Sequence, residues 1–153
     1  MAATSLPDFL DHLVDALRSR SRLSGVNIFS CPVSPEDLGL EGIEFAEEVT
    51  VDQSRAAMAS TVIQETYTVT GSLLVAAPMG KRGTNVAAKA ARDRCADILA
   101  EIVDELAEND TMTGSVHDVQ IASQEWHQGI RPEPPARVAW VEFGLAVVAR
   151  VTP

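Results

Sequence analysis

The chain has 153 residues, of which 46% are hydrophobic and 22% are charged, and 22 acidic against 12 basic side chains give a net charge of −10. This length predicts a single domain over residues 1–153, and no apolar run approaches the eighteen residues of a membrane span. The acidic balance disfavours sequence-specific nucleic-acid binding, because such a surface repels phosphate, and an acidic start does not fit a signal peptide.

The first part of the chain predicts one helix and two short strands. An amphipathic helix is expected over residues 5–22, followed by a strand at 26–30 and a loop at 31–42, which is rich in proline and glycine. Residues 43–51 alternate imperfectly and predict a second strand. Residues 52–60 are small and polar, and they predict either a mobile loop tip or a short helix.

The longest strand signal runs from Thr61 to Ala76. Its odd positions are mostly apolar and its even positions polar, which is typical of a strand with one face on a core. Sixteen extended residues span about 54 Å, whereas a domain of this size is about 40 Å across. We therefore expect the strand either to bend at Gly71 or to project with unpaired backbone groups that need a partner.

The strongest helical periodicity covers residues 84–108. Basic side chains occupy its first half and acidic side chains its second half, which is opposite to the preference of the helix dipole. One interpretation is a solvated face. The other is an acidic ridge that lines a channel or meets a basic partner, with Asp97, Glu101 and Glu105 as the candidate residues. The predicted apolar stripe comprises Val86, Ala90, Ala91, Cys95, Ile98, Leu99, Ile102, Val103 and Leu106.

The last part of the chain predicts a strand over 116–126, a loop over 128–136 and a long strand over 137–151. Gly144 lies in the middle of that strand as Gly71 does in the earlier one, so the two strands are expected to kink or bulge at matching heights. The order of elements predicts an α+β fold, with a mainly antiparallel sheet that contains two long strands and helices packed on one face.

The segment Gly80–Thr84 precedes a helix but is not a phosphate-binding loop. Val75 stands where the motif GxxxxGK[ST] requires its first glycine, and Arg82 stands where it requires Ser or Thr. The segment is interpreted as a turn with a helix cap, or as a subunit contact made by Lys81 and Arg82, and a nucleotide site is the least favoured alternative.

Motifs for catalysis or metal binding are lacking, so the sequence predicts no enzyme, no cofactor and no metal. His117 and His127 would lie roughly 33 Å apart on an extended strand, and with His12 they are interpreted as surface or satisfied histidines. Cys31 and Cys95 are expected to be buried or half-buried free thiols, with a disulfide or a reactive site as the alternative.

The sequence resembles phage tail terminator proteins of the long-tailed, lambda-like type. The resemblance rests on the order and the residue patterns of five segments: PDFLDHLVDALRS, SGVNIFSCPV, VIQETYTVTGSLLVA, AAKAARDRCADILAEIVDELAEND and RVAWVEFGLAVVARV. It implies a virion protein assembled in the host cytoplasm, with no catalytic residues and no cofactor. Such a subunit forms a hexameric ring at the end of the tail tube, stops tube polymerisation and offers a surface for joining the head.

The resemblance also implies the partners: further copies of the chain, the tail-tube protein and a head-completion or connector protein, with DNA passing through the ring without specific binding and no membrane. Arg55, Met58, Lys81 and Arg82 are the candidate contacts to neighbouring subunits or the tube. A neck or other minor tail protein of the same fold is the alternative, and a small-ligand-binding protein or an enzyme is less favoured.

Overall fold

The structure is a computed structural model that describes residues 3–45, 47–58, 61–80 and 83–152. Among the described helices, none is both long and apolar enough to cross a membrane. A short 3-10 helix also lies at Ser21–Leu23. The helices are α1 (Leu6–Arg18), α2 (Pro35–Leu38) and α3 (Thr84–Glu108), and the strands are β1 (Asn27–Phe29), β2 (Glu41–Phe45), β3 (Val51–Arg55), β4 (Ile63–Pro78), β5 (Asp118–Arg131) and β6 (Ala136–Val151).

The six strands form one sheet in the order β1-β2-β4-β6-β5, and β3 pairs with β4 beside β2. The β1–β2 pair is parallel, and the other pairs are antiparallel. The predicted α+β class is therefore confirmed: a mostly antiparallel sheet carries long strands, and the long helix α3 packs against it.

Two long strands, β4 and β6, pair without a register shift from Ile63 opposite Val151 to Pro78 opposite Ala136. The predicted bulge at the two glycines is therefore wrong for this pair. Gly71 is needed for a different reason, because a Cβ there would lie 2.3 Å from the ring of Phe143, its cross-strand partner. The glycine makes room for a buried aromatic side chain.

The alternative that the strand from Thr61 to Ala76 projects with unpaired backbone groups is wrong for β4, and β6 is covered in the same way. Both are inner strands: β6 covers one edge of β4, β2 and β3 share the other edge, and β5 covers the far edge of β6. The long strand with a free edge is β5, whose 14 residues extend five positions beyond the strand predicted for that region. The predicted loop over 128–136 is reduced to a turn between β5 and β6.

The core lies between the helices and the face of the sheet formed by the odd-numbered residues of β4 and β6. The ring of Phe9 in α1 meets Tyr67 of β4 edge-on, with centroids 6.2 Å apart, and the thiol of Cys95 in α3 donates to the carbonyl oxygen of Ala139 in β6. The α3 stripe is confirmed except at Val86, Ala90 and Val103, which are exposed.

Four local predictions need correction. The first helix ends at Arg18 and not at Arg22. The predicted strand over 43–51 is two strands, β2 and β3, and the predicted loop at 31–42 contains α2 and the start of β2. The polar segment 52–60 is neither a loop tip nor a helix up to Arg55, because it pairs with β4 as β3.

Candidate assembly surfaces

The outer edge of β5 is the longest free sheet edge in the described chain. From Gln120 to Arg131 every side chain is half-buried or exposed, and Trp126 is 42% exposed although it lies opposite the buried Val141. A register shift between Ile121 and Ser123 interrupts the pairing with β6. Such a bulge is one means by which proteins protect an edge, but the strand continues for eight residues beyond it.

A row of acidic side chains crosses the sheet face opposite α1 and α3, where the one-turn helix α2 packs through Leu38. Glu44 of β2 lies opposite Ser72 of β4, Ser72 lies opposite Glu142 of β6, and Glu142 lies opposite Glu125 of β5. We call Glu44, Glu125 and Glu142 the acidic row. None of the three forms an ion pair with a lysine or arginine in the described chain.

Grooves flank the acidic row on the same open face. One has a volume of about 440 Å³ and is apolar at its base, where Leu74, Val138 and Trp140 line it between Glu44 and Glu142. The other has a volume of about 890 Å³. It lies over the threonines of β4, and its acidic lining comes from Glu47, Glu48 and Asp52. The open face thus combines negative charge with apolar surface.

The hairpin between β3 and β4 projects a basic and an apolar side chain. A hydrogen bond from the backbone N–H of Ala56 to the carbonyl oxygen of Val62 closes its base. Met58 is 96% exposed, and Arg55 is exposed with no ion-pair partner among the described residues. We call Arg55 and Met58 the hairpin tip. The other two candidate contacts, Lys81 and Arg82, lie outside the described residues.

The acidic end of α3 binds arginines from the segment after α1. Arg20 Nε donates to Glu101 Oε2 at 2.7 Å, and Arg20 Nη1 donates to Glu105 and Glu108 at 2.7 and 3.2 Å. Arg22 adds a contact to Glu101 at 3.5 Å. The hydrogen bond from Arg20 lowers the pKa of the Glu101 carboxyl, and the bonds to Glu101 and Glu105 raise the pKa of Arg20.

This cluster explains why acidic residues occupy the unfavourable end of the helix dipole. Of the three candidate ridge residues, Glu101 is buried and Glu105 is half-buried, and both are paired with Arg20, while Asp97 is exposed. The sequence could not show the pairing, because Arg20 is 81 residues away from Glu101. A role of these residues in lining a channel stays a prediction.

A buried glutamate, Glu65 of β4, ties the start of α1 to the hairpin. Its Oε2 accepts from the backbone N–H and hydroxyl of Ser5 at 2.9 and 2.8 Å and from the hydroxyl of Thr4 at 3.3 Å, and its Oε1 accepts from Gln53 Nε2 at 2.6 Å. Burial raises the pKa of this carboxyl, but the hydrogen bonds outweigh burial and the pKa lies below its ordinary value. Burial also raises the pKa of neighbouring Tyr67 to about 12.

Strand alternation places Glu65 on the core face, so its burial could be predicted, but its partners could not.

Both cysteines are free thiols. Cys95 is buried as expected, and burial raises its pKa to about 11, whereas Cys31 is exposed. His127 stacks on Trp140, with ring centroids 5.0 Å apart and planes inclined by 11°.

No family model matches the sequence, and no curated protein matches it either. Among solved structures, the chain is similar to one described as "Virion of native gene transfer agent (GTA) particle", with 8% sequence identity, 93% of this chain and 94% of that chain covered, and a TM-score of 0.48.

Proposed function

We propose that this chain is a subunit of a ring at the end of a phage-like tail tube, where it stops tube polymerisation and provides the surface for joining the head. The observation that carries the proposal is the free edge of β5, which is the last strand in the sheet order. Along this strand, twelve consecutive residues from Gln120 to Arg131 also have no buried side chain. A long unpaired edge is a template for association, and a closed ring of copies removes it. The resemblance to tail terminators points to the same kind of assembly.

Charge complementarity supports a head-to-tail contact between copies. Along β4, the hairpin tip precedes Ile63 and the acidic row crosses at Ser72, so the two surfaces lie roughly 30 Å apart. A basic and apolar tip fits an acidic and apolar face. A contact between unlike surfaces of identical subunits is heterologous, and it produces a ring when the rotation closes. Lys81 and Arg82 are proposed as further contacts to neighbouring subunits or the tube on their charge alone.

The acidic character of the subunit suits a channel through which DNA passes. Asp97 is the exposed member of the candidate ridge, and Glu101 and Glu105 complete it beside their arginine partners. Acidic walls repel the phosphate backbone, so DNA slides past without being held. The remaining partners of this proposal are the tail-tube protein on one side of the ring and a head-completion or connector protein on the other.

The test is direct imaging of assembly with untagged protein. We expect rings in negative stain when the chain is mixed with tail tubes, and a mass that rises with concentration. Arg55→Glu combined with Met58→Ser should abolish rings, and so should charge reversal at Lys81 and Arg82 if these residues contact a neighbour. Arg92→Glu is the matched control, because Arg92 is an exposed cation on α3 away from the hairpin.

Loss of the gene should give tails of uncontrolled length. Normal tail length with failed head attachment would instead assign the chain to the neck, as a connector of the same fold. A mass that stays monomeric at all concentrations, with no binding to tail tubes, would contradict the proposal.

A further inference from the structure

We propose that Glu125, His127 and Glu142 form a binding site for a first-row transition-metal ion such as Zn²⁺. This inference does not depend on the proposed assembly. One ligand atom from each of the three side chains lies within 4.8 Å of the other two. A site of this kind was not predicted from the sequence, because the third ligand comes from the neighbouring strand.

Strand geometry brings the three side chains together. Glu125 and His127 are two residues apart on β5 and therefore project from the same face, and Glu142 of β6 lies directly opposite Glu125. His127 lies opposite Trp140 and stacks on its ring. The stacking sets the imidazole nearly parallel to the indole.

Two features of the cluster are unfavourable without a cation. Like charges directly opposite each other on neighbouring strands destabilise a sheet, and Glu125 and Glu142 are such a pair. The second feature is the Nε2 atom of His127, whose neighbour Glu125 Oε1 lies 3.2 Å away without meeting hydrogen-bond geometry, on a side chain that is 31% exposed. A divalent cation between the three groups would neutralise the acidic pair and coordinate this nitrogen.

The ligand set indicates which metals fit. Mg²⁺ and Ca²⁺ prefer sites made of oxygen alone, whereas one imidazole nitrogen with carboxylate oxygens suits Zn²⁺, Ni²⁺ or Co²⁺. Bond lengths of about 2.0–2.2 Å place donor atoms roughly 3–3.5 Å apart. The side chain of Glu125 is 70% exposed, so it has the freedom to rotate into such a position. Water would complete the coordination sphere.

The fluorescence of Trp140 can report metal binding, because its ring stacks on His127. The chain has two tryptophans, so Trp126→Phe leaves Trp140 as the only one. We expect Ni²⁺ to quench its fluorescence with a saturable titration curve, and Zn²⁺ to reverse the quenching by competition. His127→Gln and Glu142→Gln should each raise the midpoint of the Ni²⁺ titration by at least about tenfold, since the loss of even an outer-shell partner costs 10–100-fold.

His117→Gln is the matched control and should leave the midpoint unchanged. Thermal unfolding separates binding from folding: Zn²⁺ should raise the Tm of the parent protein but not that of Glu142→Gln, whose metal-free Tm should be equal or higher because a repulsive pair is removed. Quenching that does not saturate, or that His127→Gln retains, would overturn the proposal. Quenching lost only in His127→Gln, and kept in Glu142→Gln, would reduce the site to a lone imidazole and would also overturn it.

Discussion

Strands β5 and β6 are neighbours of nearly equal length, yet their environments differ throughout. β6 alternates between buried and accessible side chains along its 16 residues, whereas β5 has one buried residue, Val119, near its start. The pair Trp126 and Val141 shows the difference at one level of the sheet: Val141 is fully buried and Trp126 is 42% exposed. The subunit's own core therefore does not account for the length of β5.

Gly71→Val in β4 should have the largest effect on stability, and it tests the tight packing of the buried strands. The new Cβ would lie 2.3 Å from the ring of Phe143, which is itself in the core, so we expect a loss of about 3 kcal/mol in the free energy of unfolding. Urea unfolding measures it. Gly129→Ala in β5, where the Cβ would lie 3.2 Å from Trp140, should cost less than about 1 kcal/mol. Equal costs at the two glycines would remove the distinction between the strands.

Glu65→Gln should cost about 1–3 kcal/mol, because an amide N–H would face the hydrogen-bond donors of Ser5 or Gln53. The folded-state pKa of Glu65 is lowered, so its stabilising contribution is full above the ordinary pKa of about 4.5 and is lost as pH falls through the folded value. Urea unfolding should show wild type and Glu65→Gln converging as pH decreases from 5. A difference that stays constant with pH would contradict the role of the ionised carboxylate.

Trp126→Ser should change monomer stability least, by no more than about 0.5 kcal/mol, because the side chain is exposed. Val141→Ala, its cross-strand counterpart, should cost about 1–3 kcal/mol through the cavity it leaves. The same Trp126→Ser variant should weaken ring formation if the free edge of β5 is an assembly surface. A variant that destabilises the monomer as much as Val141→Ala would show that β5 belongs to the core.

Elements with regular burial could be predicted from the sequence. The alternation in β4 and β6 follows one buried face, and the bounds of α3 follow its helical period. β5 could not be delimited, because its side chains do not alternate in burial and Gly129 and the following prolines resemble a loop. β3 was missed for a related reason: its exposed polar residues become a strand only by pairing with β4.

Candidate surfaces were harder to predict, because cross-strand register and distant partners decide them. Arg55 ends β3 and Met58 lies in the turn that follows, and both are accessible, but their contact with neighbouring subunits or the tube stays a prediction. The acidic row requires the register of four strands, and the pairing of Glu101 with Arg20 requires the packing of α3 on the segment after α1. Strand alternation predicts that Glu65 lies on the core face, but its partners Ser5 and Gln53 come from two other elements.

The position of the two chain ends has a practical consequence. The carbonyl oxygen of Ala3 accepts a hydrogen bond from Gln53 in β3, and Val151 pairs with Ile63, which also pairs with Arg55. An affinity label fused to either end of this sequence would emerge beside Arg55 and Met58. Purification by such a label would cover the surface under test, so the label must be cleaved off before any assembly experiment.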